Sequence, residues 1–133
     1  ASQIGVKPLA RIKSFGIAGA DPTLTYPAVP IAVNKALKKA GLTINQIDLI
    51  EIQEAFAAQT LADAKLMKLT EAELDGKVNV NGSGISLGHP IGATGVMRLV
   101  TLVHEMGRRD AKYGLLTICG GGGLGICMIV EKA

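Results

Sequence analysis

Hydrophobic and polar positions along the chain follow two periods, one typical of strands and one typical of helices. Short apolar or alternating segments predict β-strands, and these segments are residues 9–18, 48–52, 77–81, 113–119 and 126–131. Apolar residues three or four positions apart predict helices, and these cover residues 28–40, 55–67 and 94–106. The resulting order, β-α-β-α-β-α-β-β, predicts an α/β fold with a mixed, mostly parallel five-stranded sheet and helices on both faces.

A glycine-rich segment precedes the last predicted helix and contains a histidine. Residues 81–95 read Asn-Gly-Ser-Gly-Ile-Ser-Leu-Gly-His-Pro-Ile-Gly-Ala-Thr-Gly, with five glycines around His89. The helix that follows is apolar on nearly every side, and such helices are normally buried. We therefore expect His89 to belong to a site at the N-terminus of a buried helix rather than to a surface loop.

Composition and charge narrow the class of function. The chain has 133 residues, which predicts one domain spanning 1–133. A net charge of +3 and an aromatic content of 3% leave little for bases to stack on, so we expect no nucleic-acid partner. Two cysteines make no disulfide framework, and the Cys/His spacing suits no metal site. No apolar run is long enough to span a bilayer, so we expect no membrane partner and a cytoplasmic location, or an organellar matrix in a eukaryote.

Polar or small residues follow the ends of three predicted strands. Gln53, His89 and Gly120 are far apart in the sequence, yet each comes after a strand. Ligands collect at the carboxyl ends of the strands in sheets of this kind. We therefore expect these three segments to converge. Glu54, next to Gln53, is either a general base or an ordinary stabilising carboxylate in the first turn of a helix.

Two features near the C-terminus allow more than one interpretation. Residues 120–125 contain Gly-x-Gly-x-x-Gly, but they lead into a strand rather than a helix, which favours a tight turn over a dinucleotide site. Cys119, just before this turn, is either a buried small hydrophobe or a group for proton transfer or nucleophilic attack, with His89 as its partner. Cys127 lies within a strand and is predicted to be core. Period and spacing alone thus predict a Cys/His site whose reaction is unspecified.

Three segments resemble, in order and spacing, the C-terminal signatures of the thiolases. The segments are Gln53-Glu-Ala-Phe-Ala57, Asn79-Val-Asn-Gly82 with Gly88-His-Pro-Ile-Gly-Ala-Thr-Gly95, and Cys119-Gly-Gly-Gly-Gly-Leu-Gly125. Together with Pro8-Leu-Ala-Arg-Ile, the likeness covers essentially the whole chain. It implies the C-terminal domain, or half, of a thiolase, an acyltransferase that makes or cleaves 3-oxoacyl-CoA thioesters by Claisen condensation or thiolysis. It also implies acetyl-CoA, acyl-CoA and CoA as substrates, with no metal or redox cofactor.

The resemblance also implies roles for individual residues. His89 would activate the acyl-accepting cysteine and help hold the thioester oxygen. Cys119 would be the acid/base that deprotonates the methyl group of acetyl-CoA in condensation, or the CoA thiol in thiolysis. The N–H of Gly121 would be one donor of the hole that holds the acyl-enzyme oxyanion.

The motif at Gln53 departs from the family in one position. The family has Asn there, and its amide positions a water for the attacking enolate. Gln carries the same amide on one more methylene, so this water would shift by about a bond length, and displacements of about 1 Å can cost a hundredfold in rate. Ala55 and Phe56, in the same motif, are the expected substrate-binding residues.

The resemblance also implies a missing part. Thiolases consist of two similar halves, and the acyl-accepting cysteine lies in the N-terminal half, which has no counterpart here. We therefore expect a chain that is inactive alone, that is completed by a thiolase N-terminal half, and that is part of a homo-oligomer in the full enzyme. Helix 94–106 would pack against its twin from that half, so the lone chain should leave an apolar face uncovered. Two alternatives are a non-catalytic thiolase-like module that binds CoA or acts as a scaffold, and a self-contained Cys–His hydrolase using Cys119.

Overall fold

The computed structural model describes residues 2–24 and 26–133, so Ala1 and Thr25 of the predicted single domain lie outside the described residues. The strands are β1 (Ala10–Gly19), β2 (Leu49–Ile52), β3 (Tyr113–Gly120) and β4 (Leu124–Lys132). The helices are α1 (Ala28–Ala40), α2 (Ala57–Leu66), α3 (Glu71–Lys77), α4 (Gly84–Leu87) and α5 (Thr94–Arg109). Two 3-10 turns, Ser2–Ile4 and Ile44–Gln46, complete the described elements.

Within the described residues, the sheet is mixed and has four strands in the order β1-β4-β3-β2. Both β1 with β4 and β4 with β3 pair antiparallel, and only β3 with β2 pair parallel. The prediction of a five-stranded, mostly parallel sheet is therefore wrong, whereas the α/β class is confirmed. The predicted strand 77–81 is the source of the error, because it contributes only a single parallel bridge between Val78 and Ile50.

Asn79 explains why that strand does not form. Its φ is 47°, a left-handed conformation that breaks an extended strand. Its backbone N–H still donates to the Ile50 carbonyl at 2.9 Å. Its side-chain amide then pairs with β2 in place of further backbone, because Oδ1 accepts from the Ile52 N–H at 2.8 Å and Nδ2 donates to the Ile52 carbonyl at 2.9 Å. The amide thereby extends the β2 edge by one pair of hydrogen bonds.

Helix α1 covers one face of the sheet and matches its predicted bounds. Its buried side is small and aliphatic, with Val29, Ala32, Val33 and Ala36 at 0 or 1% exposure, and Gly41 ends it in a left-handed conformation. Strand β1, on which α1 packs, carries a glycine, Gly16, at this contact. A Cβ at Gly16 would clash with the carbonyl oxygen of Ala32 and lie 2.9 Å from the amide nitrogen of Ala36. Strand and helix backbones are therefore in direct contact here.

Helix α5 lies on the opposite face, and its orientation corrects the prediction of an all-round buried helix. Its buried side carries Thr94, Arg98, Leu102, Glu105 and Met106. The apolar side chains that suggested burial face outward, with Val96 66%, Met97 37% and Val100 52% exposed. The lone chain therefore leaves the expected apolar face uncovered. None of the helices described is long and apolar enough to cross a membrane.

Strand β1 forms one edge of the sheet, and α1 reaches across it. Lys35 Nζ donates to the carbonyl oxygen of Ile17, and Lys39 Nζ donates to that of Phe15, both at 3.0 Å. Lys39 Nζ also lies 4.7 Å from the centroid of the Phe15 ring. These two lysines satisfy carbonyl groups of β1, which is an edge strand of the sheet in the part of the chain that the structure describes.

Candidate active site

Two of the segments predicted to form the site lie at the carboxyl ends of neighbouring strands. Strands β2 and β3 run parallel, and the Gln53 N–H continues their pairing by donating to the Thr117 carbonyl at 3.0 Å. Gln53 therefore follows the carboxyl end of β2 next to the carboxyl end of β3, which carries Cys119. The predicted convergence of these two segments is observed.

The glycine-rich segment is fastened to the end of β2 by three side-chain contacts. The Ser83 hydroxyl donates to the Ile52 carbonyl at 2.8 Å. One carboxylate oxygen of Glu54 accepts from the Ile85 N–H at 3.0 Å, and the other accepts from Asn79 Nδ2 at 3.1 Å. Because both of its oxygens hold the loop in place, Glu54 has a structural role here, and the general-base interpretation is not needed.

His89 lies on the surface, six residues beyond Ser83 and five before the start of α5. Its Nδ1 is 2.7 Å from the Thr94 hydroxyl oxygen, and that hydroxyl donates to the Pro90 carbonyl at 3.0 Å. A hydroxyl has one proton to donate, so the network assigns the proton between His89 and Thr94 to Nδ1. Nε2 of the neutral ring is then the free acceptor, on an imidazole that the described chain leaves exposed.

Cys119 is half-buried at the end of β3. Burial raises the pKa of its thiol above the usual 9.0, and the negative charge of Asp63 raises it further. The thiol is therefore protonated at neutral pH. The turn that follows is exposed at Gly121, and a Cβ there would meet no atom within 4 Å, so the space in front of this backbone is open.

Cys127 is more deeply buried than Cys119. It is 2% exposed in the middle of β4, and burial raises its pKa to about 12. The prediction that it is core is confirmed. Among the described residues, no group of three or more His, Cys, Asp or Glu side chains could hold a metal ion.

Asp63 is a buried acid that the sequence did not single out. It is 0% exposed on α2, accepts a hydrogen bond from Gln59 Nε2, and has a second oxygen without a partner in the described chain. Burial raises its pKa from 3.8 to about 7, and the Gln59 bond only partly opposes this. A helix with polar residues on one side would normally face them to water, so no sequence signal marked Asp63 as internal.

Replacing Asp63 by Asn should stabilise the protein above neutral pH. Because the folded-state pKa is raised, the folded chain holds a proton that the unfolded chain loses between pH 3.8 and about 7, and stability falls as pH rises through this window. With about 1.36 kcal/mol for each pKa unit, and allowing for screening, we expect Asp63→Asn to raise the free energy of unfolding by roughly 2 kcal/mol above about pH 8. Denaturant titrations at several pH values measure this difference, which should vanish near about pH 4. A gain that is equal at all pH values would contradict the assignment.

The remaining predicted residues lie at the start of α2. Ala55 and Phe56 are both exposed, Phe56 at 62%. Phe56 is extended, with φ −146° and ψ 144°, so the helix begins at Ala57 rather than at 55. Both residues are therefore accessible from solvent.

A fourth segment joins the site through Arg98, a residue that none of the sequence motifs contains. Arg98 is 0% exposed, its Nε donates to Gln53 Oε1 at 3.3 Å, and its Nη2 donates to the Gly88 carbonyl at 3.1 Å. It therefore links the end of β2 to the residue before His89. Within the described chain, no hydrogen bond joins His89 to Cys119.

An apolar groove of about 360 Å³ lies between the start of α5 and the sheet. Its walls include the side chains of Phe15, Ile17, Val96, Ile118 and Ile126. Several of these are about half exposed or more, including Phe15 at 55% and Ile17 at 60%. The groove is continuous with the uncovered side of α5 through Val96, and together they form one apolar surface beside the loop of His89, whose Gly92 also lines the groove. We call this surface the α5–sheet face.

Comparison with known proteins places this geometry in a family. Residues 6–132 match the thiolase C-terminal domain family. An acetyl-CoA acetyltransferase of Chromobacterium violaceum is 51% identical over 132 residues, covering 99% of this chain and 33% of the relative. A 3-ketoacyl-CoA thiolase of Vibrio parahaemolyticus is 50% identical over 133 residues, covering 99% of this chain and 34% of the relative.

Solved structures agree with these relatives. The Bacillus anthracis acetyl-CoA acetyltransferase superposes with a TM-score of 0.93 at 44% identity, over 100% of this chain and 33% of that one. Human mitochondrial 3-ketoacyl-CoA thiolase superposes with a TM-score of 0.93 at 41% identity, over 99% of this chain and 32% of that one. The chain thus spans about a third of the length of the proteins it matches.

Proposed function

The chain belongs to the thiolase family, whose C-terminal domain it matches nearly from end to end, and from this premise we propose that it supplies one half of an acyl-CoA acyltransferase site. The reaction is the formation or cleavage of 3-oxoacyl-CoA thioesters, by Claisen condensation or thiolysis. The substrates are acetyl-CoA, acyl-CoA and CoA, as the names of its relatives suggest.

One observation carries the proposal. Cys119 is a half-buried thiol at the carboxyl end of β3, directly before a glycine turn with an open, exposed backbone, and the fastened loop of His89 leaves the same edge of the sheet. A protonated thiol can return a proton to the carbanion released when the C–C bond of a 3-oxoacyl thioester breaks. In condensation the thiolate removes that proton from the methyl group of acetyl-CoA, which is the reverse of the same step.

His89 and Gly121 serve the oxygen atoms of the reaction in this proposal. The Nε2 of His89, free because Nδ1 is engaged by Thr94, takes the proton of the acyl-accepting thiol and then donates to the thioester oxygen. Gly121 is exposed, and a Cβ there would meet nothing within 4 Å; its N–H donates to the acyl-enzyme oxyanion. Losing one donor of this kind costs about 3 kcal/mol of transition-state stabilisation.

The acyl-accepting cysteine has to come from outside these residues. Cys119 is assigned to proton transfer, and Cys127 is sealed in the sheet with a pKa raised to about 12. The α5–sheet face supports the presence of a partner that carries this cysteine, because a contiguous exposed apolar surface next to a site is typical of an interface. We propose that a thiolase N-terminal half covers this face and brings the nucleophile. A homo-oligomer of the complete enzyme stays a prediction.

Mixing experiments test this function. We expect no thiolysis of acetoacetyl-CoA by this chain alone, and turnover when it is combined with a thiolase N-terminal half that carries the acyl-accepting cysteine. His89→Ala should abolish the turnover of the mixture, whereas Lys65→Ala, at an exposed position on α2 away from the α5–sheet face, should leave it unchanged. The release of CoA thioester is followed by the loss of acetoacetyl-CoA absorbance. Turnover without any partner would contradict the proposal, because Cys119 would then have to be the nucleophile.

A second candidate function is a non-catalytic thiolase-like module that binds CoA or acts as a scaffold. The specific observation in its favour is Gln53, which is 1% exposed and has its amide oxygen bound to Arg98 instead of facing the open site. The same mixture discriminates between the two functions. A complex that forms and binds CoA but does not turn over acetoacetyl-CoA would favour the module.

A further inference from the structure

Arg98 is a fully buried cation in a helix that otherwise presents apolar residues. It projects from α5 onto the same face of β2 that carries Glu51 and Gln53. Among the described residues, no carboxylate oxygen lies within 4.0 Å of its guanidinium group. Glu51 is near enough for the positive charge to oppose the burial that raises its pKa to about 7, but it makes no ion pair with Arg98.

A buried and unpaired cation destabilises a domain. An apolar side chain of similar volume would fill this position without the desolvation penalty. We therefore attribute the buried position of Arg98 to the groups that accept its hydrogen bonds. These groups belong to two different segments of the site. One is the amide of Gln53, and the other is the carbonyl of Gly88, the residue directly before His89.

The contact with Gln53 determines which way its amide points. A guanidinium group has only donors, so it donates to the oxygen of the amide and leaves the nitrogen pointing away. The amide is confined as well, because Gly84 packs against it so tightly that a Cβ at Gly84 would lie 3.1 Å from the Gln53 Cδ and 2.6 Å from the Glu54 carbonyl oxygen. The Nε2 of Gln53 is consequently a buried donor with no partner in the described chain.

The contact with Gly88 fixes the loop that carries His89. Residues 88–93 lie between α4 and α5 and are exposed, and Gly88 itself has φ 88°. The bond from Arg98 is the side-chain contact that ties this exposed stretch to the buried end of β2. A single rigid group therefore spans the Gln53 amide and the histidine loop.

We propose that Arg98 is a positioning residue of the acyl-transfer site, whose guanidinium group fixes the Gln53 amide and the His89 loop relative to each other. The assignment rests on the proposed function for its catalytic consequence. In this proposal Arg98 and Gln53 act together, because the amide of Gln53, which is one methylene further from the backbone than that of Asn, is held by a hydrogen bond from Arg98 on α5. Lysine cannot replace it, because one ammonium nitrogen cannot reproduce the planar fork of guanidinium donors.

The first test is a double-mutant cycle in the complete enzyme, formed by this chain and the N-terminal half. Arg98→Lys should lower kcat at least about tenfold with KM changed less than about threefold, since misplacement acts on the transition state. Gln53→Ala should have a similar effect, and the double variant should lose little beyond the larger single loss, because contacting residues are not additive. Arg108→Lys, on the exposed side of the same helix, is the matched control and should keep kcat. Losses that multiply in the double variant would overturn the proposal.

The second test needs no turnover. This chain contains two histidines, so labelling histidine with nitrogen-15 in this chain alone gives imidazole signals from only His89 and His104. Arg98→Lys and Arg98→Met should both shift the His89 signals and leave those of His104 in place, whereas Arg108→Lys, one turn from His104, should leave the His89 signals unmoved. Unmoved His89 signals in a folded Arg98 variant would overturn the positioning role. Shifted signals in a complex that has no thiolase activity would leave that role standing and reject the proposed function instead.

Discussion

Replacing Gly16 by Ala should cost the domain about 3 kcal/mol of unfolding free energy or more, enough to lower its soluble yield. The added methyl group would overlap the carbonyl oxygen of Ala32 and lie 2.9 Å from the Ala36 amide nitrogen. Both are backbone atoms in the middle of α1, so no side chain can move aside. Relief requires shifting α1 away from β1 and β4, which opens the core built on Val29 and Val33.

The measurement is chemical denaturation of the variant and its parent under the same conditions. Gly19→Ala in the same strand is the matched control, because a Cβ there would meet nothing within 4 Å and its φ is not positive. We expect this control to change stability by no more than about 0.5 kcal/mol. Equal stability of the two variants would show that α1 can move freely over the strand, contrary to the contact described.

Cys119→Ala should lower thiolysis by the complete enzyme at least about a thousandfold while leaving its fold intact. General acid–base catalysis typically contributes about 10²–10⁴-fold, and alanine removes the only group assigned to move the substrate proton. Because Cys119 is half-buried at a strand end, the loss of one sulfur atom opens little internal space. Steady-state turnover of acetoacetyl-CoA and a thermal melt separate the two effects.

Cys127→Ala provides the control for this substitution. Cys127 is 2% exposed in the core cluster under α1, so alanine should lower stability by about 1 kcal/mol and leave turnover within about threefold. If Cys119→Ala kept full activity while Cys127→Ala lost it, the roles assigned to the two thiols would be reversed. If neither variant lost activity, proton transfer would have to be assigned to another group.

The sequence was a reliable guide wherever one local pattern decided the structure. The face made by Val29, Val33 and Ala36, followed by Gly41, gave the bounds of α1 without error. The β3–β4 hairpin was likewise predicted from two apolar runs joined by glycines. The predicted strand at 77–81 was wrong. Its first residue, Lys77, ends α3, and beyond the single bridge at Val78 the side chain of Asn79 rather than further backbone pairs with β2.

The candidate site was predicted unevenly for a related reason. His89, Cys119 and Gln53 were found because they belong to motifs with fixed spacing, and their roles stay predictions. Arg98, Glu51 and Asp63 were not found, since a charged residue on an amphipathic element is normally assigned to water. Which side of α5 faces the sheet depends on tertiary contacts. The inward side carries Thr94, Arg98 and Glu105 as well as Leu102 and Met106, while Val96 and Val100 belong to the uncovered α5–sheet face.

The two lysines on α1 also restrict how the domain can associate. An unprotected edge strand is a template onto which another chain can add a strand, and that route leads to open-ended aggregation. With Lys35 and Lys39 occupying the carbonyl groups of Ile17 and Phe15, growth of the sheet past β1 would first have to displace both side chains. In the proposed function the N-terminal half therefore associates through the α5–sheet face, where side chains rather than backbone groups make the contacts.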